Sequence, residues 1–259
     1  MDKKTIIEVK DLKVHFETKK SLVADLFGKD KRVLKAVDGV SFESNEGEIL
    51  SLVGESGCGK TTTGKAVLGL ARPTEGSVFF RGENIGDYDK PSMKQFRRKA
   101  QMIFQDPYQS VNPREIVMDI VAEPLDVNHL VKTEEERTEK VKRALEQAGM
   151  IPAEEFFYRY PHELSGGQRQ RVIIASSIIM EPDFLVADEP VSMLDASIRT
   201  EILKLMMDLR EQRRLAYLFI THDLSLAWLV SDRIAIMYLG RIMEIGEAHD
   251  IILSGIHPY

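Results

Sequence analysis

The sequence predicts an α/β fold built on a parallel sheet, and three observations carry that expectation. Short apolar runs at Glu48–Val53, Phe184–Ala187, Ala216–Thr221 and Arg233–Tyr238 alternate with helical stretches at Gly59–Leu70, Gly166–Met180, Ser197–Arg213 and Leu224–Val230. That is the pattern of strands buried on both faces beneath crossover helices. The first run leads straight into a glycine-rich loop and then a helix. From residue 106 to 163 the character changes to helix punctuated by Pro107, Pro113, Pro124, Pro152 and Pro161, which predicts a helical subdomain inserted into the sheet.

In chain order, Ile6–Phe16 alternates and predicts a strand or hairpin. Residues 17–35 are polar and Lys-rich, a surface loop lengthening that hairpin. Val37–Phe42 and Glu48–Val53 are further strands. The helix Gly59–Leu70 ends at the turn Pro73-Thr74-Glu75-Gly76. Ser77–Arg81 and Ala100–Phe104 are strands flanking a basic helix that Ser92 and Gln95 cap. Thr133 and Glu136 form a capping box for a helix reaching Met150. There is no internal repeat, low-complexity tract or heptad run.

A chain of 259 residues buries a sizeable core. A formal charge of −6 gives no global reason to bind nucleic acid. One cysteine, Cys58, excludes an intrachain disulfide and points to a reducing compartment. Met1–Lys10 alternates charged and apolar residues, so no signal segment is expected there. The apolar run around Ile234–Leu239 is far too short to cross a bilayer. Any membrane-spanning work falls to another chain.

Three motifs carry chemistry. Gly54, Glu55, Ser56, Gly57, Cys58, Gly59, Lys60 and Thr61 fit G-x-x-x-x-G-K-[ST] between a strand and a helix, with Thr62 next in line. The glycines let main-chain N–H groups turn onto phosphates, and the helix N-terminus adds positive potential. Lys60 reaches the β- and γ-phosphates and the Thr61 hydroxyl ligates Mg²⁺. Cys58 is a small residue in a tight loop. Next, the strand Phe184–Ala187 delivers Asp188 and Glu189 at its C-terminal end, where ligands bind in open α/β sheets. Asp188 suits Mg²⁺, and Glu189 is placed to polarise an attacking water. Between these motifs, Leu164-Ser165-Gly166-Gly167-Gln168 opens a helix with two glycines and a hydroxyl, a second anion site. One chain with two half-sites predicts two chains sharing nucleotides across an interface.

With these motifs in this order, the chain resembles the ATP-binding subunit of an ABC transporter from Ile7 to Tyr259. The runs Lys35–Phe42, Gly54–Lys60, Phe104–Arg114 and Arg159–Glu163 are similar to the oligopeptide/dipeptide/nickel importer group. The cysteine-containing loop and the charged 17–35 segment are more similar to its F-type than its D-type ATPase subunit.

The resemblance implies a P-loop NTPase (RecA-like) parallel core, residues 1–105 and 164–259, with an antiparallel β subdomain and a helical subdomain at 106–163. It implies that Gln105 senses Mg²⁺ and the γ-phosphate, that His222 contacts the γ-phosphate, and that Asp195 belongs to the loop linking two active sites. The family usually has Ala where Met193 stands. It implies too that Phe16 stacks on adenine, the alternative being a core aromatic. No Asn-Lys-x-Asp motif is present, which favours ATP over GTP.

The implied activity is ATP hydrolysis powering a peptide importer, with oligosaccharide or nickel as alternative cargo. The implied partners are a second ATPase subunit (a D-like paralogue or a second copy), two permease subunits and, indirectly, an extracytoplasmic substrate-binding protein, with this chain at the cytoplasmic face of the membrane. Chains of this group usually continue past His257-Pro258-Tyr259 into a C-terminal extension. A soluble ABC ATPase acting on nucleic acid would need a coiled-coil insertion, a tandem cassette or a basic stripe, and the sequence has none. Lys90–Lys99 is a solvated helix face.

Overall fold

The computed structural model describes residues 4–17, 33–106 and 111–255. Most of the expected surface loop at 17–35 lies outside them. One sheet is antiparallel, ordered β2 (Val33–Asn45), β1 (Thr5–Glu17), β4 (Glu75–Phe80), β5 (Glu83–Asn84). The other is ordered β10 (Arg241–Glu247), β9 (Arg233–Tyr238), β3 (Ile49–Val53), β8 (Ala216–Thr221), β7 (Phe184–Asp188), β6 (Ala100–Ile103). The pairs β3–β9 and β6–β7 are parallel, as expected, and β10 adds an antiparallel edge. Every residue of β3, β7 and β8 is buried, which is why they are written as apolar runs rather than alternations.

Two compact units are distinguishable: Met1–Asn45 with Leu50–Lys90 and Ile220–Tyr259, and Glu46–Ile49 with Pro91–Phe219. In the first, β1 and β2 pair up to Glu17 and Val33, so residues 33–35 are strand rather than loop. Helix α1 (Lys60–Val67) stops short of the expected Leu70. Gly69 there takes a φ of 63° and Leu70 N–H donates back to Lys65 O at 2.8 Å, a Schellman closure. Helices α7 (Leu224–Val230) and α8 (Ala248–Ser254) cover Val53, Ile234 and Ile236 with Ala227, Ala248 and Ile251. Each Ile or Val so buried contributes about 1.5–3 kcal/mol.

The second unit is organised around α5 (Gly166–Ile178), buried on nearly all sides. Against it pack α3 (Val117–Asn128), α4 (Glu134–Gln147) and α6 (Ala196–Arg213). Helix α2 (Lys90–Lys99) begins before Ser92, with Pro91 in its first turn, so Ser92 is an interior residue and not a cap. Thr133 does cap α4, its Oγ1 accepting from Glu136 N at 3.2 Å. Glu136 Oε2 reaches the N–H of Lys132 at 3.1 Å instead of that of Thr133. Helix α4 ends at Gln147, before a left-handed Gly149, not at Met150.

Pro124 does not punctuate: α3 runs through it. A helical proline leaves the carbonyl four residues back without its N–H. Here that carbonyl belongs to Ile120, and Ser176 Oγ of α5 donates to it at 3.3 Å. Arg137 then clamps α4 to α3, donating to both carboxylate oxygens of Asp126 and to Asp119 at 2.8 Å. No helix among the described residues is long and apolar enough to cross a membrane.

Candidate functional site

In the first unit, β3 delivers the chain to Gly54. A Cβ on Gly54 would lie 2.1 Å from Met237 O and 2.8 Å from Cys58 Sγ, so only glycine closes this turn. Just beyond β9, Gly240 N–H donates to Cys58 O at 2.9 Å. Main-chain atoms on both sides thus bracket the loop. Helix α1 starts from a left-handed Gly59 with no side-chain cap and no acid in its first turn. The positive end of its dipole is therefore not offset by its own sequence, as an anion site requires.

Lys60 is buried, and its Nζ donates to Gly54 O at 2.7 Å and Glu55 O at 2.8 Å. A longer contact, 4.0 Å, runs to Cys58 Sγ, so the ammonium is held over the loop by two carbonyls and a weakly accepting sulfur. Glu55, Ser56 and Gly57 are exposed, and Thr61 and Thr62 half-buried. Cys58 is buried, and that burial pushes its thiol pKa up despite the nearby Lys60. It is a poor nucleophile, as a packing residue should be. Phe16, opposite Leu34 at the end of β1, is 47% exposed, which removes the core alternative for it. His222 is exposed directly after β8, just before Asp223 caps α7 by accepting from Leu226 N at 3.1 Å.

In the second unit, β7 ends at the buried Asp188. Glu189 follows with a φ of 47°, a conformation costing a non-glycine residue about 1–3 kcal/mol and typical of functional turns. Ser192 fixes this turn, its N–H and Oγ both donating to Glu189 O at 3.2 and 3.0 Å. Gln105 Nε2 donates to Glu189 Oε2 at 3.1 Å, bringing two predicted site residues together. Asp195 starts α6, and its carboxylate makes no capping hydrogen bond there.

Ser165 and Gln168 form a reciprocal capping box on α5. Gln168 N–H donates to Ser165 Oγ at 3.2 Å and Ser165 N–H to Gln168 Oε1 at 3.0 Å. Gly166 and Gly167 open the helix, and a Cβ on Gly167 would meet Ile198 Cγ2 at 2.6 Å. Sequence reasoning missed Arg169, whose buried guanidinium donates to Pro161 O at 2.7 Å and Leu164 O at 3.2 Å, anchoring the approach to Ser165. In the sequence Arg169 stands between Gln168 and Gln170 and close to Arg171, so no local signal set it apart.

This unit also holds a groove of about 460 Å³. Met102, Phe104, Ile120 and Ile173 line it, with Glu115 and Glu123 among the polar residues.

A buried strand, a glycine loop held by main-chain contacts and a lysine at an uncapped helix start define a phosphate-binding protein of the P-loop α/β class. The sequence pattern of the family described as ABC transporter matches residues 37–192. The oligopeptide transport ATP-binding protein OppF of Bacillus subtilis is 47% identical over 255 residues, 98% of this chain and 79% of that protein. The dipeptide transport ATP-binding protein DppF of Escherichia coli K12 is 42% identical over 254 residues, 98% of this chain and 74% of that protein. An ATP-binding cassette solved as a dimer in a post-hydrolysis state with ADP and phosphate superposes with a TM-score of 0.80 at 26% identity, covering 94% of this chain and 99% of that one. The chain belongs to the ABC transporter family and is an ATPase of that family.

Proposed function

We propose that this chain hydrolyses ATP to power peptide uptake through separate membrane subunits at the cytoplasmic face of the membrane. The observation carrying the chemistry is Glu189, a carboxylate in a left-handed turn at the end of a buried strand, already bonded to the Gln105 amide. In this reading the main-chain N–H groups of the 54–61 loop and Lys60 bind the β- and γ-phosphates, and Phe16 stacks on adenine. Gln105 and Glu189 orient a water. As the water oxygen bonds to the γ-phosphorus, its proton passes to a Glu189 oxygen and the bond to ADP breaks. His222 contacts the γ-phosphate.

Thr61, Asp188 and Gln105 would hold Mg²⁺, all through oxygen, the donor such an ion takes. No group of three His, Cys, Asp or Glu side chains forms a metal cage among the described residues, which suits an ion held largely by substrate phosphates. When bound it neutralises charge on the β- and γ-oxygens.

Ser165, Gly166, Gly167 and Gln168 face the ATP of a second ATPase subunit, a D-like paralogue or another copy of this chain, with Asp195 in the linking loop. ATP closes this pair and hydrolysis reopens it. Residues 106–163 form the helical subdomain, and the groove beside Phe104 and Ile120 receives a short cytoplasmic helix of one of two permease subunits. A substrate-binding protein acts at the far side.

Glu189→Gln should keep ATP affinity while kcat falls by about 10²–10⁴, and ATP should then trap a dimer visible by light scattering. Turnover like the parent's would remove Glu189 from this role.

A further inference from the structure

Asp38 is a half-buried residue of β2 that lies outside the three motifs carrying chemistry. Its Oδ2 accepts from Arg241 Nη2 at 2.8 Å and lies 3.5 Å from Lys35 Nζ. Its Oδ1 lies 3.1 Å from His15 Nε2. Its own N–H donates to Gly240 O at 2.8 Å, and Gly240 N–H in turn donates to Cys58 O of the phosphate loop at 2.9 Å. The Asp38 side chain thus joins the end of β1 that carries His15 and Phe16 to Arg241 at the β9–β10 turn, and main-chain bonds continue from that turn to the phosphate loop. The carboxylate stays charged at any working pH, because chiefly the Arg241 hydrogen bond, then His15 and Lys35, hold its pKa down to about 2.

We infer that Asp38 is a positioning residue for ATP. Its carboxylate fixes Arg241 at the start of β10, and so the β9–β10 turn whose Gly240 N–H bonds the phosphate loop, in the shape that receives phosphates. The main-chain bond from Asp38 N–H to Gly240 O is independent of the side chain. The inference rests on the reading of residues 54–61 as the phosphate site. Without Asp38 the loop holds that shape for only a fraction of the time, and apparent affinity falls by the same fraction. Once phosphates are bound they restore the missing restraint, so turnover at saturation persists. The signature is a raised KM at unchanged kcat. A residue that merely stabilised the fold would instead lower the melting temperature and the active fraction, leaving KM where it was.

The test uses Asp38→Ala together with Arg241→Met, which removes the same contact from a side chain 64% exposed and spares the fold. Steady-state ATPase gives KM and kcat, and displacement of a fluorescent nucleotide gives affinities for ATP and inorganic tripolyphosphate. Asp38→Ala should weaken both ligands about ten-fold and Arg241→Met about three-fold, the scale of one charge-assisted hydrogen bond. In both variants kcat should stay within about two-fold of the parent, since the lost interaction acts before ATP binds. A fall in kcat at unchanged KM, a loss confined to ATP, or parent-like affinity in both variants overturns the inference. Lys60→Ala serves as the reference. If it loses tripolyphosphate while Asp38→Ala binds like the parent, only the role of Asp38 falls; if Lys60→Ala also binds like the parent, the phosphate-site reading falls with it.

Discussion

Helices α1 and α5 both open on glycine and both present main-chain N–H groups, yet one end is bare and the other completes itself. At α1 nothing from the helix's own sequence caps the first turn, and Lys60 bonds loop carbonyls. At α5 the Ser165–Gln168 box satisfies the first turn, and Arg169 ties down the approach. A helix end without a side-chain cap leaves main-chain N–H groups for water or a ligand, which is the property the proposed phosphate site draws on at α1. A self-capped end is ordered beforehand, which is what the proposed docking of α5 on a partner's ATP would draw on.

The largest effect should come from the glycines that let each end form. Gly54→Ala sets a Cβ 2.1 Å from a main-chain oxygen that cannot yield, whereas Gly167→Ala meets an Ile198 methyl 2.6 Å away that can rotate. Overpacking should cost about 3 kcal/mol in the first case and about 1 kcal/mol in the second. At about 2–4 °C per kcal/mol for a chain of this size, thermal melting separates them, and equal shifts would break the distinction between the two ends.

Ser165 sharpens the comparison. As a cap, Ser165→Ala should lose about 1 kcal/mol and Ser165→Gly only a few tenths. If the hydroxyl also grips a partner's phosphate, both variants lose ATPase activity equally despite unequal melting. Activity that follows melting would leave Ser165 a cap and nothing more. The smallest effect concerns how much the bare end owes to the nucleotide base. Phe16→Ala should weaken ATP by about 0.5–1.5 kcal/mol, on the scale of aromatic pairs, and leave tripolyphosphate untouched; equal losses would deny the stacking role.

Strands buried on both faces were legible because burial forces an apolar run, and β7 and β8 fall within a residue of the expected spans. The phosphate loop was legible for a similar reason, since main-chain crowding against Met237 O leaves glycine as the sole choice at Gly54. What stayed hidden depends on distant partners. Nothing near Pro124 reveals that Ser176 will satisfy the Ile120 carbonyl and let α3 continue. Ser92 has the chemistry of a cap, but Pro91 suits a first helical turn and the start moved upstream of both. The Asp38–His15–Arg241 junction bonds Asp38 to a residue 203 positions away, so no local pattern carries it. The edge strand β10 and helix α8 went unread although Arg241–Glu247 half alternates.

The bracket around the phosphate loop is main-chain, and the side chain at its tip is spare. Leu239, one residue before Gly240, is 72% exposed, while the chain's single cysteine, Cys58, is buried. Leu239→Cys therefore creates one accessible thiol next to Gly240, whose N–H bonds the loop, in a protein whose native thiol is buried. A fluorophore attached there would sense nucleotide arrival without occupying any contact that shapes the loop, giving this ATPase a built-in place for an optical reporter.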